Sequence, residues 1–180
     1  MINKVIELLE EKPGNIIEIG AGVGEITKEL LRVASKKNCK VIVIDPHELG
    51  WDEMPDSYGR PYPYHEFLEN VSEYRDNLIH LRVSSLDKSV LGELKKFGPY
   101  RFAFVDGLQY KEAVLSDLEL MHEVGVEVIC VDDYTRLSEI SQVPLAVEEF
   151  IKKYSNYKLE ADSNQITNNS SDRCKAYLFK

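Results

Sequence analysis

An α/β fold is what this 180-residue chain predicts: seven strands in a mostly parallel sheet, helices on both faces, and a C-terminal antiparallel hairpin. Three observations carry that expectation. Short, largely apolar runs at residues 16–19, 41–44, 78–83, 101–105 and 126–131 alternate with amphipathic helical patterns, as strands buried on both faces do. The first run breaks into a glycine-rich turn that enters a helix and then a second strand, giving a βαβ unit. The last two strand-like runs, 157–159 and 176–179, leave no room for a crossover helix between them, so they pair antiparallel at the sheet edge.

Taken in order, Val5, Leu8 and Leu9 recur at helical spacing, and Pro13 with Gly14 stop that first helix. The strand 16–19 leads into Gly20, Gly22 and Gly24. A helix follows with Ile26, Leu30, Leu31 and Ala34 on one face, and strand 41–44 then ends at Asp45. Helical stripes run through Phe67, Val71 and Tyr74, through Val90, Leu94 and Phe97, and through Val114, Leu118 and Met121. Val147, Phe150, Ile151 and Tyr154 mark a last helix, and the polar stretch from Ala161 to Arg173 has turn composition. No internal repeat divides the chain, so residues 1–180 read as one domain. The irregular region is 46–64, rich in proline and holding Trp51, Tyr58, Tyr62 and Tyr64.

Composition narrows the function. With 22 Lys and Arg against 31 Asp and Glu, the formal charge is −9, which disfavours nucleic acid as a partner because phosphate affinity is assembled from Lys and Arg clusters. The 43% hydrophobic content supplies a core, and no apolar run approaches the roughly 20 residues of a membrane span. The N-terminal stretch is acidic at every turn and has no apolar leader core, so a cytoplasmic protein is expected. Cys39, Cys130 and Cys174 are far apart and odd in number, and read as buried thiols rather than a disulfide framework.

In an open parallel sheet, ligands sit beyond the carboxyl ends of the strands, where the first glycine turn lies. Glycines there let the backbone approach a ligand closely. A dinucleotide site needs Gly or Ala at the sixth place counted from Gly20; that place is Glu25, and a carboxylate at the helix start opposes a pyrophosphate, so NAD is disfavoured. Glu18, Gly20, Gly22 and Gly24 spell acidic-x-Gly-x-Gly-x-Gly, which resembles motif I of the class I S-adenosylmethionine-dependent methyltransferases. Asp45 matches that family's acid at the end of the second strand, which accepts hydrogen bonds from the ribose hydroxyls. The resemblance covers nearly the whole chain and implies a Rossmann-like seven-stranded sheet. It also implies S-adenosylmethionine as cofactor, with Ser85 near its adenine and Asp106 among the cofactor contacts. The cofactor carries an ammonium and a sulfonium but no phosphate, so carboxylates suit it. A tight turn without a ligand is the bland alternative for the glycines, and a turn or cap residue that for Asp45.

A second set of acids ends later strands: Asp106 after the fourth, Asp132 and Asp133 after the fifth. Adjacent parallel strands bring these to one edge, where three carboxylates repel unless protonated or bridged by a cation, and oxygen ligands favour Mg²⁺ over Zn²⁺. Turn or helix-cap residues are the other reading of Asp132 and Asp133. These segments resemble the metal-dependent small-molecule O-methyltransferases of the catechol and, more closely, the macrocin type. That resemblance implies Asp106, Asp132 and Asp133 as Mg²⁺ ligands, the ion lowering the pKa of a substrate hydroxyl and aiming its oxygen at the methyl group. It also implies a small-molecule acceptor; a homodimer is a candidate assembly. Where that group commonly has Asp and His, this chain has Leu108 and Gln109. Gln109 thus stands with Asp106 at the catalytic position, but an amide takes no proton at neutral pH. Three outcomes stay open: an acceptor that needs no strong base, His47 or His65 in that role, or a domain that binds cofactor without this reaction. His80 and His122 read as packing or surface residues.

The stretch 46–64 follows the cofactor-binding strand, where methyltransferases often place a lid. Its aromatic residues are placed either to shield the sulfonium or to pack as a satellite cluster under a long loop. Between residues 46 and 77 eight acids face two arginines, a net of −6 within the total of −9. An electronegative catalytic edge is predicted.

Overall fold

The Val- and Ile-rich runs form the strands expected of them. They are β1 (Asn15–Ile19), β2 (Val41–Ile44), β3 (Leu78–Leu81), β4 (Tyr100–Val105), β5 (Val128–Val131), β6 (Lys158–Ala161) and β7 (Ala176–Phe179). The computed structural model describes residues 1–49, 62–134, 142–161 and 174–180. The strands join one sheet of order β3-β2-β1-β4-β5-β7-β6, parallel except that β7 runs antiparallel to both β5 and β6. The terminal hairpin therefore sits at the edge as predicted, with β7 as the inner strand.

Helices α1 (Ile2–Glu11), α2 (Glu25–Lys36) and α3 (Tyr64–Asn70) cover one face through Val5, Leu8, Leu30, Leu31 and Phe67, packed on Ile16, Val41 and Phe102. Helices α4 (Ser89–Leu94), α5 (Lys111–Glu123) and α6 (Val143–Lys153) cover the other through Val90, Leu118, Met121 and Phe150, packed on Ile17, Ile42 and Ile129. The alternation of Ile16 and Ile17 between the two cores is the period-2 rule of a strand buried on both sides. Cys39, Cys130 and Cys174 are buried and form no disulfide. Among the described residues, no helix is long and apolar enough to cross a membrane.

Several boundaries differ from those expected (α4 stops at Leu94 short of Phe97, α6 at Lys153 short of Tyr154, and β6 is Lys158–Ala161 rather than 157–159), and three have a clear local reason. The helix expected through Phe67, Val71 and Tyr74 is divided at Val71 into α3 and a 3₁₀ turn, Ser72–Asn77, with Tyr74 off helical geometry at φ −119°. The strand expected over residues 78–83 stops at Leu81, because Val83 N–H turns back to the Leu81 carbonyl at 2.9 Å. Residues 126 and 127 precede β5 because α5 ends in a Schellman motif, with Gly125 at φ +78°, Val126 N–H on Met121 O and Gly125 N–H on His122 O.

The order reverses between β1 and β4, the two strands that start neighbouring crossovers in opposite directions. The open end of that crevice is where the sheet offers a ligand site.

Candidate functional site

The β1 to α2 turn is built by left-handed glycines and one carboxylate. Gly20, Gly22 and Gly24 have φ of +80°, +53° and +86°, a region closed to most side chains. A Cβ on Gly20 would lie 2.2 Å from the backbone oxygen of Asp106, so β1 and β4 ends meet only because this residue is glycine. Asp45, at the end of β2, reaches across: its Oδ2 accepts Ala21 N–H at 2.7 Å and Gly22 N–H at 3.1 Å, and its Oδ1 accepts His47 N–H at 2.6 Å. A carboxylate has about four acceptor positions, so these bonds leave Asp45 acceptor capacity for a ligand hydroxyl.

A cleft of about 640 Å³ opens over this turn, within the usual range for small-molecule sites. Its walls include Glu18, the glycine turn, Glu25, Asp45, His47, Tyr62, Ser84, Ser85, Phe104, Asp106, Gln109 and Asp133. Every cofactor-site residue singled out from sequence except Gly24 therefore lines one cleft. Gly24 serves packing instead: a Cβ there would meet the Phe67 ring at 2.9 Å. Five carboxyl side chains and no Lys or Arg line the described walls.

Glu18 is wholly buried, and neither of its oxygens has a hydrogen-bond partner among the described residues. Burial raises its pKa from 4.5 to about 8; the nearby Thr27 hydroxyl opposes the shift, though without hydrogen-bond geometry, and the Asp106 and Asp45 carboxylates add to it. Asp117, on α5, is missing from the sequence reading. It is buried behind Ser85 and Gly107, with its pKa raised to about 7 by burial and drawn back in part by a hydrogen bond with Ser85. Its spacing from Val114 and Met121 places it on the buried face of α5, which was the available signal.

These shifts fix a pH dependence. Glu18 and Asp117 ionise near pH 4 to 5 in the unfolded chain and near 8 and 7 in the fold. The unfolded state therefore loses protons first, and stability falls as pH rises through that window and levels off above it. Glu18→Gln is expected to flatten the Glu18 part of the decline and to raise Tm at pH 8 by several degrees, about 2 kcal/mol after the cost of a buried amide. Thermal melts between pH 5 and 9 check it.

His47 lines the cleft beside Asp45 at φ +51°. Its ring is packed 4.9 Å from Phe67 and 5.0 Å from His80, and burial lowers its pKa while Asp45 opposes that. His80, its Nε2 3.1 Å from the Asp45 carbonyl, is pushed down to about 4 by burial. His47 is buried and His80 half-buried, and both serve packing. His65 is exposed on α3 and does not line the cleft. Of the proposed lid, Trp51 and Tyr58 lie outside the described residues. Tyr62 stands over the glycine turn, 3.4 Å from where a Gly22 Cβ would be, and Tyr64 opens α3 with its ring 3.9 Å from the Arg82 guanidinium.

The expected metal ligands reach one sheet edge but not one ligand set. Among the described residues, no group of three or more His, Cys, Asp or Glu is arranged to hold an ion. Asp132 is 5% exposed and bonded to the Lys175 ammonium, beside a minor recess that Asp106 and Gln109 also border. Asp133, at φ +52°, accepts the Gln109 amide. As placed among the described residues, Asp106, Asp132 and Asp133 do not fit a Mg²⁺ site.

No protein-family model matches the chain. A candidate rRNA methylase from Clostridium thermocellum superposes with a TM-score of 0.65 at 11% identity, covering 99% of this chain and 96% of that one. An O-methyltransferase from Bacillus cereus in complex with SAH gives 0.64 at 16% identity, covering 99% and 80%. The O-methyltransferase TomG from Streptomyces achromogenes, in complex with SAM, gives 0.64 at 14% identity, covering 99% and 79%. The fold is that of the class I methyltransferases. In sequence, 40 residues are 48% identical to ribosomal RNA small subunit methyltransferase A of Campylobacter hominis; the match spans 22% of this chain and only 15% of that enzyme's length. The methyltransferase fold accounts for the position of the cleft, at the carboxyl ends of β1, β2 and β4.

Proposed function

We propose that this protein transfers a methyl group from S-adenosylmethionine to a hydroxyl of a small molecule. The observation that carries the reading is the buried Glu18 carboxyl, without a hydrogen-bond partner among the described residues, in the wall of a cleft with a left-handed glycine turn and no basic side chain among its described lining. Burial holds this carboxyl neutral at pH 7, and a cation meeting it would favour the charged form; the cofactor's ammonium is one. Bound in the cleft, S-adenosylmethionine would supply an electrophilic methyl on a sulfonium. Glu18 would take the ammonium, and Asp45 would offer its remaining acceptor position to a ribose hydroxyl. Ser84 and Ser85 lie along the adenine side, and Tyr62 covers the glycine turn. At the other end, Asp106 would receive the proton of the acceptor hydroxyl as the acceptor oxygen bonds the methyl carbon and the carbon–sulfur bond breaks, leaving S-adenosylhomocysteine; Gln109, tied to Asp133, orients rather than takes protons.

A small hydroxyl compound is favoured over RNA because the cleft walls and the net charge of −9 would repel phosphates. The likeness to O-methyltransferases that hold SAH and SAM supports the same choice. The second reading, a domain that binds cofactor without turning over, is favoured by the amide at Gln109. A screen of pooled small hydroxyl compounds with methyl-labelled cofactor separates the two. Incorporation that falls about 100-fold in Asp106→Asn, a factor typical of losing a general base, supports catalysis; none across the pools supports the second reading.

A further inference from the structure

We infer that Lys175 is the built-in cation of the strand-end acids, taking the place that the O-methyltransferase resemblance gives to a divalent ion and keeping that ion out. The inference rests on the methyl-transfer reading for its meaning, but not for its test.

The pairing is set by the sheet. In the antiparallel register of β5 and β7, Val131 faces Ala176, so the next rung outward brings Asp132 opposite Lys175. Cross-strand neighbours at such a rung are close enough for their side chains to meet, and the Lys175 ammonium bonds Asp132 Oδ1. The Asp132 side chain is 5% exposed and that of Lys175 22%, so water screens this pair far less than a surface bridge. A second contact fastens the ammonium: it lies 4.9 Å from the centroid of the ring of Phe104, a residue that also lines the cleft.

Two consequences exclude a divalent ion. An ammonium has no lone pair to donate to a metal, and a doubly charged ion at Asp132 would stand against a like charge in poorly screened surroundings. Meanwhile Asp133, at a left-handed backbone position, accepts the Gln109 amide, so Asp132 and Asp133 each have a partner from within the chain. Mg²⁺ holds near-octahedral geometry and depends on one or two carboxylates it can reach. In the proposed reaction the acceptor hydroxyl is then not acidified by a metal, and its proton goes to a side chain.

Mn²⁺, whose EPR signal reports free ion, tests this on the full chain without cofactor. The wild type is expected to leave the signal unchanged up to about 1 mM protein, so that Kd exceeds about 1 mM. Lys175→Met, and Lys175→Gln should the first variant melt poorly, is expected to take up Mn²⁺ at least about 10-fold more tightly. Adding Asp132→Asn should abolish that uptake, and Lys175→Arg, which keeps the charge, should behave as wild type. Wild-type uptake that disappears in Asp132→Asn would overturn the inference, as would a folded Lys175→Met or Lys175→Gln chain that takes up no Mn²⁺.

Discussion

Gly20→Ala is expected to lower Tm by about 10 °C and to abolish cofactor binding. Its new Cβ would lie 2.2 Å from Asp106 O and 2.6 Å from Asp106 C, and both are backbone atoms that cannot rotate away. Relief requires β1 and β4 to part at the bond from Asp106 N–H to Ile19 O, now 2.8 Å, which joins the two strand ends. Overpacking of this kind costs about 1–3 kcal/mol, and the residue's φ of +80° adds roughly 1–2 kcal/mol for a side chain in the left-handed region. Gly125→Ala is the control, since it also sits at positive φ but a Cβ there meets nothing within 4 Å. It should lose only the conformational part. Circular-dichroism melts compare the two.

Asp45→Ala should weaken binding of S-adenosylhomocysteine by about 100-fold or more. Three backbone N–H groups lose their acceptor at once, those of Ala21, Gly22 and His47. Hydrogen bonds to a charged group contribute roughly 1.5–3 kcal/mol each. The ligand's hydroxyls lose theirs too, on the proposed pose. Asp45→Asn separates these contributions. It keeps one acceptor oxygen and the side-chain shape, so the glycine turn stays partly held while the charge goes. Its affinity should fall between those of wild type and Asp45→Ala, and its Tm should lie closer to wild type. Equal losses in both variants would mean that the charge matters and the turn does not.

How much of this was legible in the sequence depends on the distance between partners. The β1 turn was legible because Glu18, Gly20, Gly22 and Gly24 lie within seven consecutive residues, and strand 41–44 carries its acid at its end. Local spacing cannot reveal pairs that only the sheet creates. Asp132 meets Lys175 across 43 residues, and this follows only when β7 is known to lie beside β5 in one particular register. Three acids at neighbouring strand ends therefore looked like an ion site, while the lysine that neutralises one of them belonged to the hairpin. His47 shows a different limit. Its sequence context admitted a base, but the left-handed backbone at that residue turns the ring into the Phe67 and His80 cluster, where burial favours the neutral form. The 3₁₀ break after Val71 was hidden because Phe67, Val71 and Tyr74 keep a helical spacing that either geometry satisfies.

Methyl transfer here requires that the cleft over Gly20 and Asp45 hold the cofactor. Titration calorimetry of the wild-type chain with S-adenosylhomocysteine measures that directly. The expected result is one site with a Kd of about 1–100 μM; no heat of binding at ligand concentrations up to about 1 mM would contradict it.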